Sequence, residues 1–402
     1  MTRLRQGNGV TNSRRAAAFA VARWIATHGY VGEMLPDGPD RAFVQDLAYT
    51  TVRRFRALRA VLGQLVPKWP KGEMEALLLV GAAQVLYMPD VPDFAAVNET
   101  VSAAKSCPNK SVAKVVNGVL RNLIRRREEF EAYLKAAPLA ERESFPNGLV
   151  KRWIERYGET DAEKLCRWHN EPADTWIAYR PGAPEPFVRL ARGRKVAEVE
   201  GYEKGTFIVQ DPATAGAVEL LDVKPGQKVL DFCAAPGGKT IQVAWRLGGV
   251  QDGGRLVAQE VNPTRRRRLE ENLKRVGLDW VETVSTLEDG VAFDRVLADV
   301  PCSNTGVLRR RPDARWRWTR EHLDEVVKLQ AEIVGQAAAH VAPSGILVYS
   351  TCSNEPEENG GRIAAFLADH PEFEEIGRKE SIPFSSGHDG AFACALRRCR
   401  KV

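Results

Sequence analysis

The sequence predicts a multidomain protein: an all-α N-terminal domain followed by an α/β domain on a doubly wound, Rossmann-like parallel sheet. Two observations carry this. From Arg14 to about residue 135 apolar residues recur at helical spacing, and beyond about residue 216 short apolar strands alternate with helices. At 402 residues the chain is also too long for one ordinary core.

In residues 1–138, Met74, Leu77, Leu78, Gly81, Val85 and Met88 follow one helical face. Pro92 and Asp93 suit a helix start before Ala95 to Lys105. Val112, Val116, Val119, Leu120 and Leu123 form a further stripe, with Arg121, Arg125, Arg126 and Arg127 beside or beyond it. Residues 1–150 hold 21 Lys and Arg against 14 Asp and Glu, and the rest of the chain 37 against 38. A basic N-terminal third suits either a polyanion or a solvated helical surface. Pro138 and Pro146 mark a boundary, and residues 139–215 read as a small α+β connecting subdomain. It mixes a helical pattern, Leu149 to Tyr157, with strand-like runs such as Thr206 to Val209.

In residues 216–402 the spacing predicts strands at Lys228 to Phe232, Arg255 to Gln259, Val281 to Val284, Arg295 to Ala298 and Ile346 to Tyr349. Helices fall at Thr264 to Val276 and His322 to Val341, and Phe392 to Leu396 adds a final strand. No stretch approaches the roughly 20 apolar residues of a membrane span. The run Ala16 to Ala22 is broken by Arg23 and Trp24 and reads as an amphipathic helix, so a cytoplasmic protein is expected. Seven cysteines without a CxxC pair, and six histidines without ligand spacing, predict neither a disulfide framework nor a metal site.

Ligands of such sheets bind beyond the carboxyl ends of the strands. There the run Val229-Leu-Asp-Phe-Cys-Ala-Ala-Pro-Gly-Gly-Lys-Thr240 forms a strand, a tight turn and a helix start. It is neither a GxGxxG fingerprint nor a phosphate loop, and Gly237 and Gly238 let backbone approach a ligand. Glu260, ending the next strand, can accept from both hydroxyls of a ribose, which favours an adenosine-containing cofactor.

Asp299-Val-Pro-Cys302 and Ser350-Thr-Cys352 each follow a strand, which puts two cysteines and an aspartate on this same edge. A thiolate adding to carbon 6 of cytosine turns the ring into an enamine and makes carbon 5 nucleophilic. Asp299 suits hydrogen bonding to N3 and the exocyclic amine, and a second group must help remove the carbon 5 proton. The residues alone leave open which cysteine attacks. The loop Thr305 to Trp318 interleaves arginines with tryptophans and suits phosphate contacts and base stacking, or else a surface loop with buried tryptophans.

Together these segments resemble the bacterial rRNA cytosine-C5 methyltransferases of the Sun/Fmu (RsmB-like) family, within the NOL1/NOP2/Sun superfamily. The matching motifs are Asp231-Phe-Cys-Ala-Ala-Pro-Gly-Gly-Lys-Thr240, Asp299-Val-Pro-Cys-Ser303 and Tyr349-Ser-Thr-Cys-Ser-Asn-Glu-Pro-Glu-Glu-Asn359. Ile208-Val-Gln-Asp-Pro-Ala213 and His388-Asp-Gly-Ala-Phe392 look like family segments as well. Val91-Pro-Asp-Phe-Ala-Ala-Val-Asn-Glu-Thr-Val101 and Val116-Asn-Gly-Val-Leu-Arg121 resemble the NusB RNA-binding fold.

The resemblance implies a class I S-adenosylmethionine-dependent methyltransferase domain, with small-subunit rRNA as partner. It implies Cys352 as nucleophile, Cys302 as the cysteine assisting release, and Asp299 between cofactor and base. Lys239 would reach the reaction centre, and Cys233, Ala234, Ala235, Pro236, Gly237, Gly238 and Lys239 would surround the cofactor, with Glu260 on its ribose. Glu260 stands where the family usually has Asp. The family's aspartate near the adenine falls here near Thr286, with Glu288 or Asp289 as substitutes. Other readings are the same chemistry on tRNA or another rRNA site, or a silent NusB-like ribosome-assembly factor. The sequence does not fix an oligomeric state.

Overall fold

A computed structural model describes residues 12–38, 40–191 and 193–399. The chain divides into two compact units, one of residues up to Glu171 together with Leu308–Trp318, the other of Pro172–Val307 and Thr319–Val402.

The first unit is helical: α1 (Ser13–Thr27), α2 (Arg41–Arg53), α3 (Phe55–Gly63), α4 (Glu73–Tyr87), α5 (Asp93–Ala104), α6 (Ser111–Arg125), α7 (Arg127–Ala136), α8 (Leu139–Arg142), α9 (Asn147–Tyr157) and α10 (Glu159–Asn170). Asn12 caps α1, its Oδ1 accepting from the amides of Arg14 at 2.9 Å and Arg15 at 3.2 Å. Helix α6 buries Val112, Val116, Val119, Leu120 and Leu123, the stripe expected of it. Helix α4 differs from expectation. It is buried from Glu75 to Val85 on every side, because α1, α2, α3, α5 and α6 all pack around it.

The second unit begins with a three-stranded antiparallel sheet, β1 (Trp176–Tyr179), β2 (Phe187–Arg189) and β3 (Phe207–Val209), in the order β2-β1-β3. There follow α11 (Ala215–Leu221), β4 (Lys228–Asp231), α12 (Gly238–Leu247), β5 (Arg255–Gln259), α13 (Pro263–Arg275), β6 (Glu282–Val284) and β7 (Phe293–Asp299). After the excursion into the helical unit come α14 (Arg320–Ala339), β8 (Val341–Thr351), α15 (Gly360–Asp369), β9 (Phe373–Ser381), α16 (Pro383–Ser386) and β10 (Ala391–Arg398). The strands form one seven-stranded sheet in the order β6-β5-β4-β7-β8-β10-β9. It is parallel from β6 to β8 and antiparallel from β8 to β9. From β4 the chain winds outward through β5 and β6, then restarts at β7 on the other side. The crevice beyond the tips of β4 and β7 is thus the switch point where such sheets bind ligands.

Of the two readings of the arginine-rich loop, the structure favours the one with buried tryptophans. Leu308–Trp318 is built into the helical unit and largely buried, so it is not a stacking surface for bases. Arg315 is fully buried, and its guanidinium donates to the carbonyls of Arg53 (3.1 Å), Ser144 (3.3 Å) and His169 (3.0 Å) and to Asn170 Oδ1 (2.9 Å). Trp316 Nε1 donates to Val52 O at 2.8 Å, and its ring packs edge-on against Trp24 and Phe55. Arg309 is buried over the Trp168 ring at 4.2 Å. Among the described residues no helix is long and apolar enough to cross a membrane.

Candidate active site

Strand register builds the site. In the β7–β8 ladder Asp299 lies opposite Ser350, so the loops carrying Cys302 and Cys352 leave the sheet side by side. Their sulfurs stand 3.2 Å apart. The Cys352 thiol donates to Asn304 Oδ1 at 3.4 Å, while Asn304 Nδ2 donates to Cys302 O at 2.8 Å. Gly306 N donates to Cys352 O at 3.0 Å, and a Cβ at Gly306 would meet that oxygen at 2.8 Å and Gly390 O at 2.7 Å. Only glycine fits this crossing of loops.

Lys239, in the first turn of α12, donates to Asp299 Oδ2 at 2.7 Å, and Ser350 Oγ donates to Asp299 Oδ1 at 2.7 Å. Burial pulls the Lys239 ammonium down, but Asp299, with Cys352 and Asp231 behind it, more than offsets this and leaves its pKa raised. Cys302 is raised well above an ordinary thiol, first by its hydrogen bond to Cys352, then by desolvation and the charges of Cys352 and Glu358. Burial pushes the Cys233 thiol up to about 12, so it remains protonated at neutral pH. A cleft of about 240 Å³ opens beside Cys352, lined among others by Thr214, Lys239, Lys379, Glu380 and Phe392.

Around the glycine turn, Ala234 N donates to Gln259 O at 3.0 Å and Asn272 Nδ2 to Pro236 O at 2.8 Å. Gly237 takes φ 104°, and a Cβ there would stand 2.7 Å from Leu269 Cδ1, so α13 packs directly onto the turn. Its glycine thus has a packing reason as well as the ligand reason expected of it. Glu260 is buried at the tip of β5. Its Oε1 accepts from Asn262 N at 2.9 Å, and Oε2 lies 3.4 Å from Arg265, whose guanidinium also donates to Ala235 O at 2.9 Å. Three buried acceptors near this turn, Asp231 Oδ1, Gln210 Oε1 and Gln259 Oε1, have no hydrogen-bond partner among the described residues. A ligand bearing ammonium and hydroxyl donors fits such a donor-poor cradle. Thr286, Glu288 and Asp289 are all exposed.

The structure therefore brings Lys239, Asp299, Cys302 and Cys352 into one cluster, and gathers residues 233–238 and Glu260 at the adjoining turn. Sequence reasoning missed Asp231, Gln210, Ser350, Asn304 and Glu358. Each sits in or next to a recognisable motif, but only the fold shows which are buried and what they hold. Among the described residues no group of three or more His, Cys, Asp or Glu could hold a metal ion.

The sequence profile of a family described as 16S rRNA methyltransferase RsmB/F matches residues 218–391, and that of the NusB family matches residues 11–125. The ribosomal RNA small subunit methyltransferase B of Klebsiella pneumoniae is 32% identical, over 90% of this chain and 91% of its own. The chain belongs to the RsmB/F family. It is an S-adenosylmethionine-dependent RNA methyltransferase with a NusB domain ahead of its Rossmann-like domain. A Synechocystis protein named as a probable ribosomal RNA small subunit methyltransferase B is 31% identical, covering 83% of this chain and 82% of that one. Among solved structures, the protein PH0851 superposes with a TM-score of 0.78 at 21% identity, covering 98% of this chain and all of its own. NSun6 from Pyrococcus horikoshii, described with SFG, gives 0.56 at 18% identity over 64% of this chain and all of that one. Both likenesses concern the fold.

Proposed function

We propose that this RsmB/F member methylates carbon 5 of a cytosine in small-subunit (16S) rRNA in the cytoplasm, through a covalent bond between Cys352 Sγ and carbon 6. The observation that carries the reading is the pair of sulfurs 3.2 Å apart beside the Lys239–Asp299 ion pair. S-adenosylmethionine, held by residues 233–239 and Glu260, supplies an electrophilic methyl group when bound. Its ammonium and hydroxyl donors suit Asp231 Oδ1, Gln210 Oε1 and Gln259 Oε1.

The two sulfurs differ in their surroundings. Cys352 has the Lys239 ammonium in its field, whereas Cys302 faces the Glu358 carboxylate, which opposes its ionisation. The family resemblance makes Cys352 the sulfur that adds to carbon 6, and the Glu358 carboxylate facing Cys302 is consistent with that order. The Lys239 ammonium, held by Asp299, offsets the negative charge that builds on the ring as the addition proceeds, while Asp299 orients the base by accepting from its exocyclic amine. Once carbon 5 carries its methyl group, its proton must leave before the carbon 6–sulfur bond can break. Cys302, adjacent to Cys352, assists that release.

The test is a pair of variants incubated with 16S rRNA and cofactor. Cys302→Ala is expected to accumulate a covalent RNA adduct on denaturing gels, and Cys352→Ala to form none. An adduct persisting in Cys352→Ala overturns the assignment, and bisulfite mapping of the rRNA identifies the cytosine.

A further inference from the structure

Each cysteine is followed by a serine, and both serines end on one carboxylate. Glu358 is fully buried between β8 and α15. Its Oε1 accepts from Ser303 N at 2.8 Å and from Gln330 Nε2 at 2.9 Å, and its Oε2 accepts from the hydroxyls of both Ser303 and Ser353. Gln330, on α14, also donates to Pro301 O at 2.9 Å, and Tyr349 OH donates to Glu358 O at 2.7 Å. Thr305 Oγ1 lies 3.1 Å from Ser353 Oγ and accepts from Asn354 N at 3.0 Å. An isolated carboxylate in this position would be strongly disfavoured, and four donors satisfy it.

We propose that Glu358 is a positioning residue that sets the distance between the two thiols by tying Ser303 and Ser353 to a single carboxylate. It touches neither base nor cofactor. Every donor on it except Gln330 comes from a residue directly following one of the cysteines, so releasing the carboxylate frees both loops at once. The inference rests on the reading that Cys302 and Cys352 act on the same base, since only then does their separation govern turnover.

The test reads thiol separation without RNA. Diamide takes the hydrogens of two neighbouring thiols, forming one S–S bond while its N=N bond is reduced to the hydrazine, and mass spectrometry quantifies the Cys302–Cys352 crosslink in the full chain. Glu358→Gln preserves the shape of the clamp while removing the charge that opposes ionisation of Cys302, and is expected to pair at least as fast as wild type. Glu358→Ala and Ser353→Ala are expected to pair roughly tenfold more slowly, with methyl-transfer kcat falling in step and the KM for cofactor unchanged. Ser353→Ala decides the matter if Glu358→Ala does not fold. Wild-type pairing rates in Ser353→Ala, or a slowed pairing that comes only with lost cofactor affinity, overturns the proposal. An adduct in Cys352→Ala would defeat the nucleophile assignment while leaving the pairing rates as they are, so the two failures are distinct.

Discussion

Asp231 offers a quantitative check on the electrostatics of the cofactor turn. It is 1% exposed at the tip of β4, accepts from Thr240 Oγ1 at 2.6 Å and from the backbone amide of Cys233, and its Oδ1 has no hydrogen-bond partner among the described residues. Burial, with a contribution from the nearby Asp299, raises its pKa from 3.8 to about 7. The folded state therefore holds this proton more tightly than the unfolded chain does. The group contributes its full stability below about pH 4, and that contribution is lost as pH climbs toward 7. A shift of about 3 units corresponds to about 4 kcal/mol, of which about 3 kcal/mol falls between pH 5 and pH 8. Asn at this position still accepts from Thr240 and carries no charge. Asp231→Asn should thus gain stability relative to wild type by about 3 kcal/mol as pH rises from 5 to 8, measured as the difference between paired urea denaturation series. A difference that stays flat across this range would refute the buried-carboxyl account. Saturating S-adenosylmethionine should flatten the wild-type profile if its ammonium occupies the unpartnered oxygen.

Glu260→Ala should weaken cofactor binding by roughly tenfold to a hundredfold in calorimetry, since a buried charged acceptor is removed, while leaving RNA affinity in filter binding unchanged. Arg315→Ala strips the donor from four buried acceptors of the helical unit. It should cost about 3 kcal/mol or more in urea denaturation, and a loss below about 1 kcal/mol would show that the guanidinium is dispensable there. Gly306→Ala should lower kcat with little change in cofactor affinity, because the new Cβ displaces the loop between Cys302 and β10; an unchanged kcat would count against this crossing as a determinant of geometry.

The strands of the parallel sheet were legible because their apolar runs and following turns are local properties. Strand β9 was not. Its run Phe373–Ser381 is charged and mostly exposed, as suits the edge of a sheet, and so resembles a loop when read alone. The reading of α4 as one-sided had a similar cause, since burial on its second side depends on neighbours from elsewhere in the chain. The choice between the two readings of the Thr305–Trp318 loop was closed to the sequence for a related reason. Arginine next to tryptophan signals nucleic acid only when solvent-facing, and here the acceptors that bury Arg315 come from Arg53, Ser144, His169 and Asn170. That Asp299, Cys302 and Cys352 share one edge of the sheet was legible from strand position, and Lys239, expected there only from the family resemblance, lies against Asp299. Glu358 lay within the quoted motif yet carried no sign of burial, because what fixes it is a meeting of three segments.

The same segment imposes an order of assembly during synthesis. The carbonyls of Val52 and Arg53 emerge from the ribosome early, but their donors on Trp316 and Arg315 follow only after β4 to β7 have been made. Until then Trp24 and Phe55 lack the ring that packs against them. These particular contacts of the N-terminal unit therefore form only after the polypeptide through Trp316 has been translated. A chain terminated prematurely within the sheet leaves the carbonyls of Val52 and Arg53 without these donors.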